Sequence, residues 1–268
     1  MSAPLYKVLR GGESWHGGTH RWSLPTLADD GTWTPGEWTP AVTPVLCETG
    51  WHLTREPARW WGAGDVAAYL TQTDGAVTRY DDGGAKCAVE RCRLLRPLTR
   101  DELAALGVYT EGEHEARSGI AHVSGSATVT AYGSATVTAY DSATVRASGS
   151  ATVTAYGSAT VTAYGSATVT AYDSATVRAS GSATVTASGS ATVTAYDSAT
   201  VRAYDSARAH AAGQSVCTAW RGTSLVLTRS DRGVIVDRRG ANPVIYAKRR
   251  GVDGWRYDED SKTWSQRK

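Results

Sequence analysis

From Gly125 to Tyr204 apolar and polar positions alternate almost without exception. Ten consecutive octapeptides fill this stretch, opening at Gly125, Gly133, Asp141, Gly149, Gly157, Gly165, Asp173, Gly181, Gly189 and Asp197. Each reads Gly or Asp, then Ser-Ala-Thr-Val, then Thr or Arg, Ala, and Tyr or Ser. Side chains on a strand point alternately to its two faces, so the pattern predicts a strand with a thin Ala-Val-Ala face and a Thr/Tyr face. On a helix, period two would scatter the apolar residues around the whole surface. Gly or Asp followed by Ser is turn chemistry and punctuates every unit. Eight residues are too few for two strands and two turns, so the smallest coil is two units, or 16 residues. The prediction is a mainly β fold: a β-solenoid with two strands per coil.

Five such coils over residues 125–204 give a rod of roughly 24 Å at the ~4.8 Å strand spacing. The register continues in decayed form upstream at Gly119, Ala121 and Val123, and downstream at Ala207, Ala209 and Ala211. It persists at Ser215, Cys217 and Ala219, then at Thr223, Leu225 and Leu227. No core position of the ten units exceeds Val in size, so the two sheets must lie close and stability must come from stacking.

With a 16-residue coil, alternate units fall on opposite sheets. One sheet then carries an uninterrupted array of Thr136/Thr138, Thr152/Thr154, Thr168/Thr170 and Thr184/Thr186. On the other, Arg146 and Arg178 replace a Thr. Tyr140, Tyr156 and Tyr172 are expected to stack along the edge of the cleaner sheet. Arg146, Arg178 and Arg202 occur only in units opened by Asp141, Asp173 and Asp197. In-register Asp–Arg pairing and duplication of two unit types both account for this, and duplication is the simpler account. The stretch Ala131-Tyr-Gly-Ser-Ala-Thr-Val-Thr-Ala139 resembles the repeat of bacterial ice-nucleation proteins, which combine a Tyr-Gly-Ser turn with a Thr-x-Thr strand on 16-residue coils. That resemblance implies a Thr surface able to order water.

Residues 1–116 are of another kind, and residues 117–220 and 221–268 are read as the solenoid and a small C-terminal β cap. The amino-terminal part holds seven of the ten Trp and three of the four Cys. Leu5–Leu9 and Cys87–Leu95 read as strands, and 57–71 as a helical segment broken at Gly62 and Gly64. Thr99 with Glu102 forms a capping box before Leu103 and Leu106, with Gly107 as the stop. The prediction is an α+β domain. Cys47-Glu-Thr-Gly-Trp-His52, after Tyr6-Lys-Val-Leu9, resembles a bacterial and phage family of uncharacterised proteins. Its members carry a Cys-x-x-Gly-aromatic-His motif ahead of short Ser/Ala/Gly-rich repeats, and the ending Val252-Asp-Gly-Trp-Arg-Tyr257 is similar too.

Two chemical readings attach to this domain. Cys47, His52, Cys87 and Cys92 are the right types for zinc, although Cys87 and Cys92 are five apart in a strand-like run and point to opposite faces unless a bulge intervenes. Buried structural cysteine is the plainer reading. Arg10-Gly-Gly and Gly50-Trp-His-Leu-Thr54 resemble the layout of ADP-ribosyltransferase domains, which implies Arg10 and His52 as contacts for NAD. No Glu near 111–115 sits where that resemblance places a catalytic one.

The net charge of +2 hides an uneven distribution. Residues 1–116 carry 11 basic and 16 acidic side chains, and residues 221–268 carry 12 and 6. The basic groups Arg238-Arg239 and Lys248-Arg249-Arg250, near Trp255, Tyr257 and Trp264, offer a nucleic-acid contact, but a solvated surface is the simpler role. No apolar run of about 18 residues is present to span a membrane, the first residues lack a secretion signal, and four cysteines are too few for a disulfide framework. These features predict a cytoplasmic, reduced protein with no cofactor: a non-catalytic structural or interaction module whose rod serves as a spacer or as a repetitive surface for self-association.

Overall fold

Each octapeptide contributes one four-residue strand and one turn, as in Thr128–Ala131 and Thr136–Ala139. This is seen in a computed structural model describing residues 3–14, 20–45, 48–79, 86–220, 224–227, 233–238, 244–249, 252–258 and 263–266. Thr136–Ala139 pairs in parallel with Thr152–Ala155, and Thr128–Ala131 with Thr144–Ala147. Strands sixteen residues apart are therefore neighbours, and successive octapeptides alternate between two parallel sheets. Among the described residues, one sheet holds twelve strands and the other eight. The solenoid makes about seven coils of 16 residues.

All Ala and Val of the ten repeats, three per unit, are fully buried between the sheets. Burying a Val contributes roughly 1.5–3 kcal/mol, whereas ordering a residue's backbone costs about 1–2 kcal/mol. Two Val and four Ala cannot stabilise sixteen residues alone, so a coil exists only between neighbours that complete its hydrogen-bond ladders. The decayed repeats keep the register: Ala121 pairs with Val137, Cys217 with Val201, and Leu225 with Ala209. The parallel stack begins before residue 117, because Glu113–Ala116 pairs with Thr128–Ala131. The chain accordingly divides into two compact units, 1–108 and 109–268. Beyond Val234–Asp237 the larger sheet turns antiparallel through Val244–Arg249, Val252–Asp258 and Thr263–Gln266, ending the parallel ladder.

The amino-terminal unit is mostly β as well. Strand Tyr6–Arg10 pairs antiparallel with Val66–Arg79 and, through Tyr6, with Trp51–Thr54. Lys86–Pro97 pairs with both of those partners, so the four strands close into a ring. Leu9, Trp22, Leu53, Cys87, Val89, Cys92 and Leu94 form one core, and Val8, Ala58, Trp61, Ala68 and Leu98 another. Strands at Tyr6–Arg10 and Lys86–Pro97 match expectation. So does helix Arg100–Ala105, whose Thr99/Glu102 capping box is complete and whose Glu102 carboxylate also takes both Arg96 guanidinium nitrogens at 2.6 and 2.7 Å. The helical reading of 57–71 is corrected. Pro57–Trp60 forms one 3-10 turn, and Val66 opens a 14-residue strand. Pairing on both edges with Tyr6–Arg10 and Lys86–Pro97 overrides the local helix preference of its Ala-rich start. Helix in this unit is thus one 3-10 turn and one six-residue helix among the described residues.

Candidate interaction surface

The turns show why each unit needs Gly or Asp followed by Ser. The opening residue has positive φ throughout the repeat, for example 62° at Gly165 and 53° at Asp173, a region that Gly enters freely and Asp better than most residues. The following Ser donates its N–H to the carbonyl of the turn one coil earlier, as from Ser158 to Asp141 at 2.9 Å. Its hydroxyl often reaches the same carbonyl, at 2.9 Å from Ser150 to Gly133. The ladders therefore run through the corners as well as along the strands.

The Asp carboxylates are drawn to the backbone rather than to the Arg side chains. Asp173, Asp197 and Asp205 accept from the N–H of Gly157, Gly181 and Gly189, sixteen residues earlier, at 3.0, 3.1 and 3.2 Å. Arg178 instead donates to the Tyr196 hydroxyl at 3.2 Å and lies over its ring. In-register ion pairing does not explain the Asp–Arg coupling, whereas duplication of two unit types remains compatible with it.

The alternation places the Thr pairs as the spacing requires. Thr136, Thr152, Thr168 and Thr184 are aligned across four successive strands of the twelve-stranded sheet, as are Thr138, Thr154, Thr170 and Thr186. The two files are about 6.7 Å apart along the strand and step by about 4.8 Å per coil. The opposite sheet interrupts its files with Arg146 and Arg178.

Tyr140, Tyr156 and Tyr172 stack at one edge of the Thr sheet with centroids 5.0 Å apart and planes within 12°. His122 extends the stack below Tyr140 at 4.7 Å. Ser188 interrupts it, and Tyr204, Trp220 and Arg238 resume it, the last as a cation over the indole. The His122 and Trp220 continuations lie in decayed repeats, where the octapeptide alone gave no signal. The other edge alternates instead: Tyr132, Ser148, Tyr164, Ser180 and Tyr196.

The amino-terminal candidates are not gathered into one centre. Cys47 lies outside the described residues. Cys87 and Cys92 do share a core, although the bulge between Asp74 and Val77 adds its extra residue to Val66–Arg79 and not to the strand that carries both cysteines. His52 pairs with Ala88 while its neighbour Leu53 pairs with Cys87, so the imidazole lies on the face away from the Cys87 thiol. Among the described residues no group of three or more His, Cys, Asp or Glu is placed to hold a metal ion. Burial pushes the Cys92 and Cys217 thiols up to about 12, making them neutral apolar side chains rather than nucleophiles. Burial, and then the Lys86 and Lys7 cations, hold His52 below its ordinary pKa. Arg10 donates to the carbonyl of Ala63 at the end of its strand. Of the basic carboxyl-terminal groups, Arg238 stacks on Trp220, and Arg239 and Arg250 lie outside the described residues.

Sequence reasoning missed Lys7. Its ammonium donates to the carbonyl of His52 at 3.2 Å and lies 4.9 Å from the Trp22 ring. Burial lowers its pKa to about 8. Its only sequence signal is a Lys between Tyr6 and Val8 in a strand of alternating faces.

No protein family, no curated protein and no solved structure matches this chain. No helix among the described residues is long and apolar enough to cross a membrane.

Proposed function

We propose that the chain is a non-catalytic scaffold whose solenoid offers a rigid, repetitive Thr/Tyr surface on which copies associate. The observation that supports this most directly is the identity of successive coils: four strands in register carry the same Thr pair beside a stacked Tyr file. A surface repeated at one pitch is self-matching, since any contact one coil makes is available to the next. Its rigidity lowers the conformational cost of each contact. Light scattering over a range of concentrations tests the reading on the full chain. Oligomers that grow with concentration support it, and a monomer at every concentration defeats it. Loss of the oligomers when Tyr140, Tyr156 and Tyr172 are all changed to Ser assigns the contact to that edge.

A second reading, an ice-facing surface, is favoured by the regularity of the Thr files, which hold a hydroxyl and a methyl at each point of a repeating lattice. Thermal hysteresis and ice shaping by the purified protein measure it directly. Their absence removes it.

A further inference from the structure

The alternating edge of the eight-stranded sheet differs from the continuous Tyr file in one respect that bears on assembly. In the continuous file, the 5.0 Å spacing of Tyr140, Tyr156 and Tyr172 shows that one coil step holds one ring. On the other edge Ser148 stands between Tyr132 and Tyr164, so two coil steps, about 10 Å, separate those rings. The gap between them has the height of a single aromatic ring.

The neighbours of this gap leave it open. Arg117 lies over the Tyr132 ring from the preceding coil, which leaves the face toward Ser148 uncovered. Tyr164 is 50% exposed, and no ring or cation among the described residues stacks on it. The next gap, at Ser180, is partly occupied by Arg178, which bonds the Tyr196 hydroxyl and covers its ring. Arg146 is the equivalent of Arg178 beside Ser148. It is exposed and makes no such bond among the described residues.

We infer that the gap at Ser148 receives Tyr164 of a second copy, and that two antiparallel copies interlock their alternating edges by exchanging this ring. The proposal rests on the self-association reading above and places the contact on this edge rather than on the Tyr140–Tyr156–Tyr172 file, so the triple Ser variant keeps its oligomers. The pitch makes the match reciprocal. With the rods antiparallel and offset by one coil, the rings stack in the order Tyr132, Tyr164 of the second copy, Tyr164, Tyr132 of the second copy, the last at the level of Ser180, where Arg178 turns aside to admit it. Each Tyr164 then has a ring on both faces, and both Ser148 gaps are filled by one two-fold operation, an isologous contact. Arg146 is placed to donate to the incoming phenol as Arg178 does to Tyr196. The occupant is a second copy rather than a free aromatic compound because the same edge supplies both the gap and a ring at the pitch that fills it. Four rings and their surroundings form a small interface, so association is weak and visible only at high concentration.

Filling the gap from within separates this inference from general stickiness. Ser148→Tyr adds an aromatic ring to the surface, at a position where most units already carry Tyr. The new ring completes an intramolecular stack between Tyr132 and Tyr164, so the fold survives and its Tm holds or rises. By the interlock, Ser148→Tyr and Tyr164→Ser each abolish concentration-dependent association in sedimentation velocity, while Ser180→Tyr weakens it less. If Ser148→Tyr associates as well as or better than the wild type, the interlock is wrong, though self-association stands. If the wild type is monomeric at every concentration, both are wrong. If soluble phenol competes the dimer apart at concentrations that leave Tm unchanged, the ring-insertion contact is supported independently.

Discussion

The ring of Tyr156 lies 5.0 Å from that of Tyr172 with the planes tilted by 9°, because the two residues stand sixteen positions apart on adjacent coils. A second ring, Tyr140, covers its other face at the same distance. Offset aromatic pairs contribute about 0.5–1.5 kcal/mol each beyond burial. Tyr156→Ser therefore destabilises the solenoid by about 1–3 kcal/mol, and Ser188→Tyr, which joins Tyr172 to Tyr204, stabilises it by about 1–2 kcal/mol. Equilibrium unfolding in urea measures both. Equal stability of all three proteins contradicts the stacking account.

The core tolerates change in neither direction. Val169 is fully buried among Ala and Val. Val169→Ala leaves a cavity costing about 2 kcal/mol, and Val169→Leu overpacks the narrow space between the sheets at a cost of about 1–3 kcal/mol. A Leu variant as stable as the wild type shows that the sheets can separate, contrary to a core fixed by Ala on either side.

Asp173 does two things at its corner: it holds a φ of 53° and accepts the Gly157 N–H at 3.0 Å. Asp173→Ala forfeits the acceptor and places a residue poorly suited to left-handed backbone there, a loss of about 1–3 kcal/mol. Asp173→Gly forfeits only the acceptor and costs about 1 kcal/mol. Thermal melts of the two variants rank them, and an Ala variant no worse than Gly refutes the conformational part.

Lys7 makes the stability of the amino-terminal unit pH-dependent. Burial lowers its pKa from 10.5 to about 8, so the folded form disfavours the ammonium. The unfolded chain binds more protons between those values, and stability rises with pH from about 8 to 10.5. Below pH 8 the penalty is fully present, of order 3 kcal/mol for a shift from 10.5 to about 8. Lys7→Met is accordingly more stable than the wild type at about pH 7, by about 1–2 kcal/mol, with the difference shrinking toward about pH 10. Denaturant titrations at those two pH values decide it, and a pH-independent difference excludes burial of the charge as the cause.

Period and parity are enough to specify the solenoid. Strict alternation admits only strands, eight residues cannot close a coil, and the Gly/Asp-Ser corner recurs at each unit, so pairing at sixteen follows from local chemistry repeated many times. The separation of the Thr files onto one sheet and the Tyr140–Tyr156–Tyr172 stack follow from that period alone. Decayed repeats such as Ala121 and Cys217 were legible because parity survives when residue identity does not. The destination of the Asp carboxylates was not legible: both Arg146 and a Gly N–H one coil away were within the reach of a sequence argument, and only the corner geometry selects the backbone donor. In the amino-terminal unit no period exists to propagate a local signal. Residues 66–71 became strand because two partners distant in sequence offered their edges, and Cys87 and Cys92, of opposite parity on one strand, share a core that Leu9, Trp22 and Leu53 complete from elsewhere in the chain. Nearest-neighbour stacking writes a repeat's structure into its period, whereas a closed ring of unlike strands is decided by long-range pairing that no single segment contains.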